Sequence, residues 1–291
     1  MHKYLRAIGF SKLSRRRELE ALIGKTVKDA GTRNFTTYNN ETLLAEYSYE
    51  FGPDMGVTVC GELDENDHFL FDYIYPFFKG KLISSEEKVT IERHAEKISY
   101  AGICDDSRVG ITIIFYLLNR IPYIMKRNTN SLPSFGTTLS LSGLSIDGTI
   151  MMPIEKTPKE VKKNNEHSKV RTRLVEKARQ GDEGAIESLT LSDMDMYSSI
   201  SRKIKDNDIF TIVDTYFMPY GVECDQYSVL GEITDCRLIN NSVTGESIYQ
   251  MDLIANEIAL SICINKEDLF GEPEVGRRFK GTVWLQGFIN Y

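Results

Sequence analysis

The sequence predicts an α+β protein, with an N-terminal antiparallel β-rich domain flanked by helices, a helical connector and a small C-terminal OB-like β module. Three observations predict it. Short β-rich runs separated by Gly, Pro, Asn and Asp fill residues 43–150. A charged stretch bearing Ala, Leu and Ile, without strand signals, fills 155–208. Strand periodicity then returns after Asn207. These changes place the boundaries at 1–154, 155–206 and 207–291. The 291 residues suffice for two ordinary domains, and 41% hydrophobic with 26% charged residues describe a chain that buries a core.

In chain order, Ser14 is the expected N-cap of a helix whose Leu19, Leu22, Ile23, Val27 and Ala30 recur on one face. Strands are expected at Gly56 to Cys60, His68 to Tyr75, Lys88 to Ile91 and Val109 to Leu118. In the run Gly136 to Pro153, Leu139, Leu141 and Leu144 alternate with serines before Asp147-Gly148, a dipeptide that predicts a hairpin turn. Two or three helices are expected in the connector, punctuated by Gly181-Asp182 and by a cap at Ser192. The last module should carry strands at Ile209 to Phe217, Tyr227 to Ile239, Ser247 to Ile254, Ile258 to Ile264 and Arg277 to Ile289. A single helical turn at Lys266 to Phe270, stopped by Gly271-Glu272-Pro273, precedes the final strand, an order that fits a small OB-like barrel. No period of 20 to 50 residues recurs, which excludes a solenoid or propeller.

Forty-two acidic against 35 basic residues give a formal charge of -7, which disfavours general affinity for nucleic acid. The longest apolar run, Val109 to Leu118, is about half of what a membrane-spanning helix needs, so no membrane association is expected. The first residues lack the apolar core of a signal peptide. Five cysteines, Cys60, Cys104, Cys224, Cys236 and Cys263, are scattered and form no CxxC pair. Reduced thiols and a cytoplasmic location are the expectation.

Candidate chemistry is sparse. Glu223-Cys224-Asp225, following Met218-Pro219-Tyr220-Gly221, is a candidate ligand surface lined by Tyr220, Glu223, Cys224 and Asp225. Thiol catalysis is disfavoured there, because two flanking carboxylates raise a thiol pKa. Of four histidines, only His68 and His94 lie in structured context. No HExxH or calcium-loop pattern occurs, and the clusters Asp64 to Asp67 and Asp105-Asp106 read as solvated turns. Phosphate-binding loops are missing, so neither a metal nor a cofactor is expected. Lys156 to Arg179 is locally basic and reads as a solvated face or as a contact for an acidic partner. Arg277, Arg278 and Trp284 lie in a run that mixes cations with aromatic residues, the combination by which single-stranded nucleic acid is held. The plainer alternative sends Phe279, Val283 and Leu285 into the core and packs Trp284 on an edge or a partner subunit. The aromatic run Phe69 to Phe78 fits strand packing.

The phrases MHKYLRAIGFSKL, VDTYFMPYGVECDQYSVLGEI and GRRFKGTVWLQGFINY, with the stretches around Gly102 to Asn119 and Gly181 to Leu191, resemble a bacterial family of unknown function over nearly the full length. The resemblance implies a bacterial intracellular protein of this architecture and transfers no functional residues. The expected function is a non-catalytic one, in which the protein binds a protein partner or a second copy of itself through an edge or an aromatic patch. Two alternatives stand beside it: an enzyme or small-molecule binder with a site between the β modules, and single-stranded nucleic-acid binding by the C-terminal module.

Overall fold

A computed structural model of the chain describes residues 2–38, 42–93, 99–133, 136–154, 158–203, 213–222 and 224–291. The chain is α+β. It opens with a 3-10 helix, Lys3–Ile8, that buries Tyr4, Leu5, Ala7 and Ile8 and stops at Gly9. Gly9 has φ +90, and a Cβ there would lie 2.8 Å from Asn241, so only glycine fits. Helix α1, Arg16–Lys28, is capped from within rather than by the Ser14 hydroxyl: the Glu18 carboxylate accepts from the backbone N–H of Ser14 at 3.1 Å and of Arg15 at 3.0 Å. Its expected apolar face is used up to Val27, with Leu22 buried and Leu19, Ile23 and Val27 packed beside it, while Ala30 lies past the end of the helix.

Strands β1 (Thr32–Tyr38), β2 (Thr42–Gly52), β3 (Met55–Leu63) and β4 (Phe69–Phe78) form an antiparallel sheet in that order. The second sheet holds ten strands: β5 (Val89–Arg93), β6 (Tyr100–Asp105), β7 (Thr112–Leu117), β8 (Thr138–Met151), β9 (Tyr216–Pro219), β10 (Gln226–Asn240), β11 (Ser247–Ala255), β12 (Ile258–Asn265), β13 (Leu269–Phe270) and β14 (Arg278–Asn290). Helix α2 (Arg120–Asn128) follows β7, and α3 (Pro158–Arg179) and α4 (Glu183–Lys203) make up the connector. The helical turn expected over Lys266 to Phe270 is confined to Lys266–Asp268, and Leu269–Phe270 instead pair with β8 as β13.

Strand β8 pairs parallel with β12 on one edge and antiparallel with β14 on the other. Because β12, β11, β10 and β14 are antiparallel neighbours in turn, these five strands close into a ring. Strands β7, β6 and β5 extend the sheet from the end of β14, where Gln286 and Gly287 pair with Tyr116 and Leu117. The strand order therefore does not follow the division at 154 and 207. Strand β8 from the first segment sits between two strands of the last, since β14 needs a partner along its whole length and finds it in β8.

Alternate side chains of the ring, among them Leu141, Tyr249, Met251, Ile262, Ile264, Phe279 and Val283, belong to one buried core. This explains why the expected hairpin at Asp147-Gly148 is absent. A Cβ on Gly148 would meet Phe279 at 2.6 Å and Ile264 at 2.9 Å, so the glycine serves close packing inside one continuous strand rather than a turn. The opposite face of the ring contributes Leu144, Ile248, Cys263 and Trp284 to a second core, together with Tyr4, Ile8, Phe51, Met55 and Phe77. The four-stranded sheet and the N-terminal segment thus lie against the outside of the ring. Buried Gln286 joins the two, accepting from the Phe78 N–H at 3.0 Å and donating to the Pro76 carbonyl at 2.8 Å. Asn119, at the start of α2, ties β14 in the same two-sided way through the carbonyl (2.8 Å) and N–H (3.2 Å) of Ile289.

Candidate functional site

Pairing of β10 with β14 sets Gln226 opposite Trp284 and so brings two separate sequence candidates together. The Trp284 indole N–H donates to the Asp225 carboxylate at 2.7 Å, and the Asp225 carbonyl accepts from Leu285 at 2.8 Å. Trp284 is only 5% exposed. Its ring stacks on Tyr4 with centroids 5.5 Å apart, and His2 and Tyr116 lie at 4.6 and 5.2 Å. A hollow of about 350 Å³ opens beside it, lined by His2, Lys3, Tyr4, Asp225 and Trp284. The indole is thus packed among its neighbours.

Arg278 is 4% exposed and turned inward. It donates to the Met152 carbonyl at 3.0 Å and to those of Val213 and Asp214 at 2.9 and 3.2 Å, clasping both ends of the connector, and burial lowers its pKa. Arg277 donates to the Glu272 carbonyl at 2.8 Å and pairs with Glu274 at 2.9 Å. Tyr220 and Cys224 are exposed between β9 and β10, and Glu223 and His94 lie outside the described residues. Burial pushes the thiols of Cys104 and Cys236 up to about 11 and those of Cys60 and Cys263 higher still, so these four stay protonated at neutral pH. Among the described residues, no cluster of His, Cys, Asp and Glu is arranged to hold a metal.

A buried polar network lies where the two sheets and α2 meet. Arg120 and Glu46, each 3% exposed in the side chain, pair at 2.8 Å. Arg120 also donates to the Tyr73 hydroxyl at 2.9 Å, the Tyr116 hydroxyl lies 3.5 Å from it, and the Cys60 thiol is 3.8 Å from Glu46. Burial raises the Glu46 pKa, opposed by the charge and hydrogen bond of Arg120, and it raises the Tyr73, Tyr75 and Tyr116 hydroxyls as well. Through Arg120 the network ties the start of α2 to β2 and β4 of the four-stranded sheet. Its members sit at 46, 60, 73, 116 and 120, a spacing with no motif in it.

A second hollow, of about 570 Å³, lies between Ile83–Glu87, Asp106–Arg108 and Thr172. Arg108 grips Asp106 at 2.9 and 2.5 Å and donates to the Ser84 carbonyl, while the Ser85 hydroxyl donates to Asp106 at 2.6 Å. Burial acts to raise the Asp106 pKa, but the hydrogen bonds from Arg108 and Ser85 and the Arg108 charge together hold it below the usual carboxylate range. A depressed folded pKa means that the unfolded chain binds more protons. The stabilisation is therefore full above about 3.9 and is lost as pH falls through the lower folded value. Asp106→Asn should cost about 1.5–3 kcal/mol at pH 7 and flatten the stability profile below pH ~4. Urea unfolding across pH checks this, and parallel profiles for the two proteins would refute it.

Apolar side chains are also exposed in the first half of β4. Tyr75, Phe77 and Phe78 are buried, whereas Leu70 is 55% exposed and Phe71 and Asp72 are exposed beside it. β4 is the edge of its sheet, with no strand on its far side among the described residues. A bulge between Cys60 and Gly61 shapes this end: a Cβ on Gly61 would lie 2.1 Å from the Leu70 carbonyl and 2.7 Å from the Phe69 ring, which covers it. Tyr47 meets Phe69 and Phe35 edge-on, at 5.0 and 5.8 Å, continuing the aromatic surface across the sheet. Glu62, Asp64, Glu65, Asp67 and Asp72 flank it in the chain and residues 55–78 contain no Lys or Arg, while Arg33 lies over the Tyr47 ring at 6.0 Å. The strand packing expected of this aromatic run holds except at Leu70 and Phe71.

The chain belongs to the family described as a domain of unknown function, E. rectale gene description (DUF3881), whose model matches residues 5–287. No curated protein and no solved structure matches the chain. None of the helices among the described residues is long and apolar enough to cross a membrane.

Proposed function

We propose that the protein is a non-catalytic binding protein of the cytoplasm that takes up an extended, basic segment of a partner protein by strand addition to β4. The observation that carries this is the pair Leu70 and Phe71 exposed on the β4 edge, in a segment whose charged residues are all acidic. A free edge offers unpaired N–H and C=O groups, to which an added strand bonds through its main chain while its alternate side chains meet the aromatic surface. Carboxylates around that edge select Lys and Arg on the incoming strand and speed its approach. They also oppose pairing of β4 with a second β4, which would bring two acidic rims together.

The same rim repels a phosphate backbone. The ring of β8, β12, β11, β10 and β14 supports the OB-like reading, but the face on which such barrels hold oligonucleotides is covered here. Gln250 on β11 donates to the Pro53 carbonyl at 2.6 Å, and Cys263 on β12 packs on Met55 and Ala7. Free thiols at all five cysteines support the cytoplasmic placement.

The test uses fluorescence anisotropy with two labelled synthetic peptides, one alternating lysine with valine and one alternating glutamate with valine. The lysine peptide should bind and release as salt is raised. Phe71→Ser should weaken it about tenfold, which corresponds to ~1.4 kcal/mol. Equal binding of both peptides, or binding indifferent to Phe71→Ser, would end the proposal.

A further inference from the structure

The connector is a helical hairpin that leaves several apolar side chains of its described residues exposed. Gly181, with φ +86, turns the chain, Asp182 caps α4 by accepting from the Ala185 N–H at 3.0 Å, and Arg171 on α3 pairs with Asp193 on α4 at 2.6 Å. The hairpin touches the sheet through polar groups of α3: Glu176 with Ser107, Arg179 with the Asp105 carbonyl, and Ser168 with Glu257. Neither buried core includes a residue of α3 or α4. Over 183–194 of α4 only Ala185 is buried, while Ile186, Leu191 and Met194 are exposed, as is Val170 on α3. Helices gain their stability in proteins mainly by burying an apolar face, so these side chains call for a partner.

The charges indicate which one. Lys169, Arg173 and Lys177 on α3, and Glu183 and Glu187 on α4, are exposed and without an ion-pair partner among the described residues. A basic helix would be repelled by α3 and an acidic one by α4. A second copy meets both requirements at once, because a two-fold axis sets α3 of each protomer against α4 of the other. We infer that the α3–α4 hairpin is a homodimerisation element, packing on the hairpin of a second copy as a four-helix bundle. The inference uses neither β4 nor its acidic rim and is independent of the function proposed above.

Sedimentation equilibrium on the full chain provides the test. Wild-type protein should be dimeric at micromolar concentrations. Leu191→Glu with Met194→Glu should raise the dimer dissociation constant by roughly a hundredfold or more, with unfolding of the β-sheet body unchanged. Charge reversal on one helix, Lys169→Glu with Arg173→Glu or Glu183→Lys with Glu187→Lys, should give monomers in either case. An equimolar mixture of those two reversed proteins should form heterodimers, since it restores opposite charges across the contact. A monomeric wild type overturns the inference, as does a dimer that survives Leu191→Glu with Met194→Glu, or a mixture that remains monomeric. A dimer broken instead by Phe71→Ser would move the self-contact to the β4 edge and overturn it too.

Discussion

Replacing Arg120 by methionine should lower the unfolding free energy at pH 7 by about 3–5 kcal/mol, because it leaves the Glu46 carboxylate buried without its cation. Methionine keeps most of the volume, so the loss reports charge rather than a cavity. The pH dependence identifies the cause. Burial already raises the Glu46 pKa, and removing the Arg120 charge and hydrogen bond that oppose it raises it further. The folded state then holds a proton that the unfolded chain releases. Stability is retained below the unfolded value of about 4.3 and falls as pH rises towards the raised folded value, by at most ~1.4 kcal/mol per pH unit. Arg120→Met should therefore be less damaged at pH 5 than at pH 7, and adding Glu46→Gln should recover part of the loss and flatten the profile. Urea midpoints at the two pH values measure this. A loss under about 1 kcal/mol, or one equal at both, would contradict the assignment of this pair as the strut between α2 and the sheet.

How much of this was legible in the sequence depends on the range of the interaction. Strands β10, β11, β12 and β14 fall within a residue or two of the runs read from alternation, since period two survives wherever one face is buried. Local signals failed where a residue answers to a distant one. Gly148 looked like a turn residue because its real constraint, the Phe279 ring, lies far away in the chain. Ser14 looked like the cap, yet Glu18 reaches back to do that work. The ring closure of β8 with β12 and β14 has no local signature, so a division into successive modules was the natural expectation. At the candidate sites, sequence placed Asp225 and Trp284 in different patches, and only strand register joins them. The β4 edge was read as uniform strand, because which half of an aromatic run is buried is decided by what packs on it, here the N-terminal helix and β8.

Trp284→Ala should cost about 3–5 kcal/mol, the other large effect, and the loss should be one of stability rather than of ligand binding. The indole fills the space between Tyr4, Tyr116 and His2, and its N–H holds Asp225 at the end of β10. Truncation would leave a cavity at the junction of the N-terminal segment with the ring and remove a donor from a carboxylate. The two contributions separate experimentally. Asp225→Asn keeps the packing and weakens the charged hydrogen bond, so it should cost about 1 kcal/mol, whereas Trp284→Phe keeps part of the ring and loses the bond, and should fall between the two. Because Asp225 and Trp284 touch, the double variant should lose less than the sum of the single losses. Were the indole instead a platform for single-stranded nucleic acid, Trp284→Ala would reduce salt-sensitive oligonucleotide binding while unfolding changed little. Measuring urea midpoints and oligonucleotide anisotropy on the wild type and these four variants decides between a ring that holds the N-terminal segment in place and one that waits for a base.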